Sequence, residues 1–421
     1  MSEMSYLEKL LDGVEVKWKS LGEVGEFIRG NGLQKKDFVE EGFPAIHYGQ
    51  IYTRYGFTAD KTFTYVSAKL AGKLRKAEKN DLLLATTSEN DEDVVKPLAW
   101  LGEEAAISGD MMIFRHDQNV KYLAYYILTE AFQSQKRRCI SGTKVRRVSK
   151  GDLSKLQIPI PPLHVQKEIV RILDTFTELT TELTTELTNR KKQYNHYRDQ
   201  LLSFEEGDVE WKTLGDVANI QRGASPRPIA KYITDDVNGV PWIKIGDTLP
   251  GSKYVNSTAQ KVTPEGAKMS RILSKGDFIM SNSMSFGRPY ILNIKGAIHD
   301  GWASISGFSD ALNSDYLYHY LSSNTVQSYW AGKINSGSVS NLNADIIKTL
   351  PVPIPPLSTQ AKIAAILDKF DTLTHSISEG LPREIELRQK QYAHYRDLLL
   401  SFPKPEAGTT KGTKSTKGEK I

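Results

Sequence analysis

Two proline-rich hexapeptides decide the reading of this chain: Ile158-Pro-Ile-Pro-Pro-Leu163 and Val352-Pro-Ile-Pro-Pro-Leu357. Apolar residues at helical spacing come after each one, Ile169, Ile172, Leu173 and Phe176 in the first copy and Ile363, Ile366, Leu367 and Phe370 in the second. Proline stops a preceding element and is tolerated at a helix start, so each hexapeptide introduces a long amphipathic helix. Both runs end alike, in Gln193-Tyr-Asn-His-Tyr-Arg-Asp and Gln391-Tyr-Ala-His-Tyr-Arg-Asp, and close on Ser203-Phe204 and Ser401-Phe402.

Working outward, the repeat covers nearly the whole chain. Trp18-Lys-Ser-Leu-Gly-Glu-Val matches Trp211-Lys-Thr-Leu-Gly-Asp-Val, and each leads to an arginine-glycine pair, Arg29-Gly30 and Arg222-Gly223. Phe43-Pro-Ala-Ile-His-Tyr-Gly49 matches Val240-Pro-Trp-Ile-Lys-Ile-Gly246, and Asp81-Leu-Leu-Leu matches Asp277-Phe-Ile-Met; these are expected to be short buried strands. Tyr122-Leu-Ala-Tyr-Tyr-Ile-Leu and Tyr316-Leu-Tyr-His-Tyr-Leu are expected amphipathic helices, and Ser141-Gly-Thr corresponds to Ser336-Gly-Ser. Tyr6, Leu10 and Leu11 resemble Tyr197, Leu201 and Leu202, so the repeat reads as circular. The stretches between Gly30 and Thr143 and between Gly223 and Ser338 share mostly an apolar framework, which implies one architecture and two ligands.

In the first helix Thr177-Glu-Leu-Thr, Thr181-Glu-Leu-Thr and Thr185-Glu-Leu-Thr place Leu179, Leu183 and Leu187 one turn apart. From His164 to Phe204 that helix would run about 60 Å at 1.5 Å per residue. It needs a partner, and the second helix is the expected one in an antiparallel coiled coil. Asp174 to Gln193 spans 19 residues and Asp368 to Gln391 spans 23, and the extra residues lie near Gly380 and Pro382, which should kink or break the second helix. These elements give an α+β fold class: two similar α/β domains at 1–157 and 205–351, joined by spacer helices at 158–204 and 352–403. Residues 404–421 form a polar tract expected to be disordered.

Composition narrows the function classes. The 421 residues are 39% hydrophobic with a mean hydropathy of -0.41, enough for real cores and too little for a membrane span. The N-terminal residues carry no basic segment leading into an apolar core, and Cys139 alone cannot form an intramolecular disulfide; a cytoplasmic protein is expected. A net charge of +5 fits a nucleic-acid binder without requiring one.

Catalytic signatures are missing. Ser141-Gly-Thr-Lys144 has the wrong order for a phosphate-binding loop, and Gly30-Asn-Gly32 lacks the third glycine of a dinucleotide loop. The Pro-Pro pairs sit in Ile-Pro-Pro-Leu, not in the Asn/Asp-Pro-Pro-aromatic motif of base-amino methyltransferases. Eight histidines and one cysteine offer no metal-ligand spacing, and Glu89, Asp91, Glu92 and Asp93 read as a solvated loop. No catalytic or metal site and no cofactor is expected in this chain.

Basic and polar residues in the divergent loops suit DNA, since guanidinium pairs with phosphate or guanine and glycine lets backbone amides approach phosphate. The candidates in the first copy are Arg29, Lys35, Lys36, Tyr48, Gln50, Arg54, Lys144, Arg146 and Arg147, with Tyr52 as a neighbour. In the second they are Arg222, Arg227, Lys244, Asn282, Arg288 and Lys333, with Ser281, Ser283 and Ser285 as neighbours. A protein-binding scaffold would also need a helix pair and two lobes, but gives no reason for the lobes to diverge.

Two divergent domains alternating with two Pro-Ile-Pro-Pro-Leu helices that end in Lys-Gln-Tyr-x-His-Tyr-Arg-Asp resemble the specificity subunits of type I restriction-modification systems. The tandem Thr-Glu-Leu-Thr repeats resemble the short helical repeats of one branch of that family. The resemblance implies that each variable domain reads half of a bipartite, asymmetric DNA site and that the helices set the half-site spacing. It implies two methyltransferase subunits and restriction subunits as partners, with S-adenosylmethionine, ATP and magnesium held by those partners.

Overall fold

The computed structural model describes residues 6–205, 207–248, 251–281, 287–335, 342–376 and 378–403; the tail expected at 404–421 lies outside them. Two compact units emerge, Met1–Leu179 with Gln389–Ile421, and Thr180–Arg388. Among the described residues no helix is long and apolar enough to cross a membrane.

The proline-rich hexapeptides do not open as helix. Gln157–Ile160 and Pro351–Ile354 are strands, and the spacer helices begin afterwards, at Leu163 and Leu357. The cause is local: a residue that precedes proline is pushed out of the α region, and alternating prolines keep the chain extended. Each strand pairs antiparallel with the Trp-Lys motif of its own copy, Trp18 opposite Pro159 and Trp211 opposite Pro353. The two best-repeated motifs therefore meet at the base of each domain, where Tyr122 Oη donates to the Pro159 carbonyl (2.9 Å) and Tyr316 Oη to that of Pro353 (3.2 Å).

Among the described residues each unit has two five-stranded sheets. In the first unit one sheet runs Gly25–Arg29, Met111–His116, Leu82–Ala85, Lys96–Trp100, Thr58–Ala59, and the other Phe38–Val39, Thr64–Val66, Phe43–Ile46, Ala105–Ile107, Lys76–Ala77. In the second the orders are Asn219–Arg222, Trp302–Ser306, Phe278–Ser281, Pro289–Leu292, Tyr254–Val255 and Ile233–Thr234, Gln260–Val262, Val240–Ile243, Gly296–Ile298, Arg271–Leu273. The expected strands around Phe43, Val240, Leu82 and Phe278 are present, and each sheet keeps one parallel pair at the same place in both units.

The aromatic helices Val120–Ile127 and Ser314–Leu321 pack between a sheet and the long helices. Leu163–Leu201 runs unbroken, whereas the second spacer is two helices, Leu357–His375 and Gly380–Leu399, interrupted near Gly380 as its glycine and proline predict. Gly380 has φ +76, and a β-carbon there would meet the Thr372 carbonyl at 2.4 Å. In the Thr-Glu-Leu-Thr stretch Thr184, Thr185 and Thr188 return their hydroxyls to carbonyls one turn back, satisfying polar groups that would otherwise oppose helix.

Within the first unit Phe176 stacks on Tyr395, with ring centroids 5.4 Å apart; within the second Phe370 stacks on Tyr197 at 5.6 Å. Each unit therefore pairs the start of one spacer with the end of the other. Leu399, Leu400 and Phe402 complete the first core as Leu201, Leu202 and Phe204 serve the second. The circular closure anticipated from Tyr6, Leu10 and Leu11 is made chiefly by this later stretch; Leu10 and Leu11 only pack beside the same core. Trp18 Nε1 donates to the Pro403 carbonyl at 2.9 Å.

Candidate nucleic-acid interface

In the first unit the strand Phe43–Ile46 runs out at His47 and turns into the helix Tyr48–Thr53. This corner, the turn Lys35–Asp37 and the loop after Thr87 enclose a cleft of about 750 Å³. Lys35, Tyr48 and Arg54 line it, and Arg54 lies over the Phe63 ring at 5.9 Å. Val145 also lines it, so the hairpin carrying Lys144, Arg146 and Arg147 flanks the opening. Lys36 is exposed beside Lys35 but does not line the cleft.

Gln50 also lines the cleft, with its amide engaged by the fold. It is buried, its Oε1 accepts from the His47 backbone at 2.9 Å, and its Nε2 donates to Thr64 Oγ1, so the amide is spent on capping the helix. Asp247 caps the Lys244 backbone in the same way in the second unit (2.7 Å). The neighbouring Tyr52 is likewise structural, donating to the carbonyls of Ala85 and Thr87. Sequence reasoning missed His47, whose imidazole burial and the nearby Lys35 ammonium hold below its ordinary pKa.

The acidic stretch Glu89–Asp93 is not merely solvated. Glu89, Asn90 and Asp93 line the cleft, Asn90 donates to Asp93 at 2.7 Å, and Asp91 pairs with Arg146 at 2.9 Å. Lys136, wholly buried, anchors the loop from beneath through the carbonyls of Glu92 and Val94, both at 2.9 Å. Burial lowers its pKa to about 8.

The second unit carries a cleft of about 470 Å³ at the corresponding corner, lined by Arg227, Lys244, Gln260, His299 and Asp300 over the buried Trp242. Lys244 Nζ donates to Gln260 Oε1 at 2.7 Å. The Asp300 carboxylate accepts from Ser225 Oγ (3.0 Å) and Arg227 (3.3 Å), and lies 3.0 Å from His299 Nε2. Burial would raise the Asp300 carboxyl, but the hydrogen bonds from Ser225 and Arg227 and the nearby His299 outweigh it and keep the group below the ordinary range.

Arg29 and Arg222 occupy one position in the two copies: Arg29 Nε donates to the Gly109 carbonyl (3.1 Å) and Arg222 Nε to that of Asp300 (3.0 Å). The glycines beside them do not offer amides to a phosphate. Gly30 N–H goes to Met111 and Gly223 N–H to Trp302, and a β-carbon on either would meet a carbonyl at 2.1 Å, so glycine is there for close strand packing. Arg288 and Lys333 stand apart from the second cleft, against the rings of Tyr290 and Tyr329; Asn282, Ser283 and Ser285 lie outside the described residues, and Ser281 is buried.

Two units of one architecture, carrying clefts of unlike lining at equivalent corners, define a protein built from a tandem repeat of one domain. Residues 13–192 and 206–387 each match the type I restriction modification DNA specificity domain, and the chain belongs to that family of DNA specificity subunits. It is 37% identical over 420 residues to the specificity subunit of the EcoR124I/EcoR124II type I restriction enzyme of Escherichia coli, covering 96% of this chain and 99% of the relative. It is 31% identical to a putative type I restriction enzyme specificity subunit of Haemophilus influenzae, with 94% and 98% covered. The fold is shared with the S subunit of a type I restriction-modification system from M. genitalium (TM-score 0.52, 15% identity, 96% and 100% covered). A chain from a structure of type I R-M complex assembly and conformational transition also shares it (TM-score 0.58, 17% identity, 91% and 97% covered).

Proposed function

We propose that each cleft reads one half of a bipartite, asymmetric DNA site, and that the chain directs adenine methylation or restriction performed by partner subunits. One observation carries this reading: the two clefts occupy equivalent corners of sheets with identical strand order, yet are lined by unlike side chains. A shared frame with divergent linings is what two different half-sites demand. The chain itself is non-catalytic; two methyltransferase subunits supply S-adenosylmethionine chemistry, and restriction subunits bring ATP and magnesium. The complex works in the cytoplasm.

The test is to co-express the chain with its methyltransferase subunit and map methylated adenines across the host genome, with and without the chain. A split motif with a fixed gap that appears only with the chain is expected. A stable complex that adds no methylation and shows no salt-dependent DNA binding would overturn the reading in favour of a scaffold.

A further inference from the structure

We infer that the cleft of the second unit is a guanine-reading site, in which Asp300 sets the plane of Arg227 and Gln260 sets the ammonium of Lys244. The inference rests on the reading of this cleft as a DNA contact and goes beyond it by naming the base.

The major-groove edge of guanine offers two acceptors, N7 and O6, and no donor; adenine places a donor where guanine has O6, and cytosine offers a donor alone. Arg227 and Lys244 carry only donors. Arg227 is 85% exposed and tethered at one amino group by Asp300, which leaves its other donors for a ligand. Acceptors that could welcome an exocyclic amine are already engaged: the Asp300 carboxylate by Ser225, Arg227 and His299, and the Gln260 carbonyl by Lys244. An adenine or cytosine edge would thus set donor against donor, and thymine offers the single acceptor O4 beside its methyl group, whereas guanine brings two acceptors to two cations. The Asp300 carboxylate also biases the exposed guanidinium toward the cleft through one contact of 3.3 Å, a modest reduction in the cost of ordering a bidentate contact.

The first unit lacks this arrangement. Gly109 stands where the second unit has Asp300; the carboxylate-tethered arginine of the first unit, Arg146 on Asp91, flanks the opening instead, and the acids Glu89 and Asp93 face the cleft beside Lys35 and Arg54. A carboxylate-tethered arginine that itself lines the cleft is therefore a property of the second unit.

The experiment maps adenine methylation by the full complex carrying Arg227→Ala, Lys244→Ala, Asp300→Ala or Asp300→Asn, against the unaltered chain and Arg54→Ala. Arg227→Ala and Lys244→Ala are expected to relax guanine positions in one and the same half-site, with discrimination falling roughly 5- to 150-fold. Asp300→Ala should relax the Arg227 position partly and Asp300→Asn less, while Arg54→Ala acts on the other half-site. An intact opposite half-site in each variant shows that the complex is folded. Relaxation at an A·T pair, or a uniform loss of methylation without relaxation as a phosphate contact gives, would overturn the inference. If the unaltered chain produces no split motif, it is the DNA-reading proposal itself that fails.

Discussion

His319 Nε2 lies 2.7 Å from Asp368 Oδ1, at the place where Tyr125 Oη donates to Asp174 at 2.8 Å in the other unit. A carboxylate on the spacer helix thus anchors the aromatic helix of each domain, with different partners. In the second unit the buried Lys253 joins in, 2.5 Å from Asp368 and 2.6 Å from Asp315, whereas Lys121 meets Asp174 at 2.8 Å in more solvent. Burial would lower the Lys253 pKa, but its two carboxylates override that and raise it.

Removing one partner of a buried ion pair costs about 3–5 kcal/mol, against about 0–1 kcal/mol for an exposed one. Asp368 retains some solvent access and Lys253 keeps Asp315, so Asp368→Ala should cost roughly 2–3 kcal/mol and Asp174→Ala about 1 kcal/mol. Denaturant titration with probes in each unit checks this; equal losses would contradict the structural difference.

His116 supplies the clearest pH dependence. Burial pushes its imidazole down to about 4, and its Nδ1 accepts from the Gln118 backbone at 3.1 Å. The unfolded chain takes up that proton near pH 6.5, before the folded one, so stability is full above about 6.5 and falls as the pH drops toward 4. By pH 5.5 this residue should remove about 1 kcal/mol. His116→Asn should flatten that part of the curve, measured as unfolding free energy against pH; an unchanged slope would assign the loss to other groups.

Gly30→Ala and Gly223→Ala set a β-carbon 2.1 Å from the carbonyls of Ser108 and His299 respectively. Each should destabilise its own unit by several kcal/mol, on the order of a severe core overpacking, while Arg29→Ala and Arg222→Ala leave melting nearly unchanged and weaken DNA binding. Differential scanning calorimetry and a salt titration of binding separate the two effects; a soluble, fully stable Gly30→Ala protein would refute the packing role.

Deleting one Thr-Glu-Leu-Thr shortens Leu163–Leu201 by about 6 Å and rotates the rest of the helix by about 40° beyond a full turn. Methylation mapping should then show a changed gap between unchanged half-sites. An unaltered gap would remove the helix from the role of ruler.

The repeat and the elements it carries were legible because they depend on short-range rules: prolines that hold a segment extended, tyrosines at helical spacing, a glycine and a proline that interrupt Leu357–Leu399. The helix start expected at His164 falls one residue from Leu163, but the spacer bounds at 158 and 352 took in strands, because the bias on residues before proline was given too little weight. The clefts were only half legible. Arg227 and Lys244 stand out as cations, but Asp300 gains its meaning from Ser225 and Arg227, more than seventy residues away in the chain. Lys136 reaches Glu92 across 44 residues, and Gln50 looked available because its capping bond depends on a backbone turn that composition does not reveal.

The division of the chain also fixes an order of assembly during synthesis. Thr180–Arg388 is one continuous stretch, whereas the unit begun first must wait for Gln389 onward. At about 5–20 residues per second the ribosome needs roughly 10–40 s to make the intervening chain. Through that interval the apolar face formed by Ile158, Val165, Ile169 and Leu173 lacks Leu399, Leu400 and Phe402, which share its core in the finished protein. The domain that leaves the ribosome first is thus the last to be sealed.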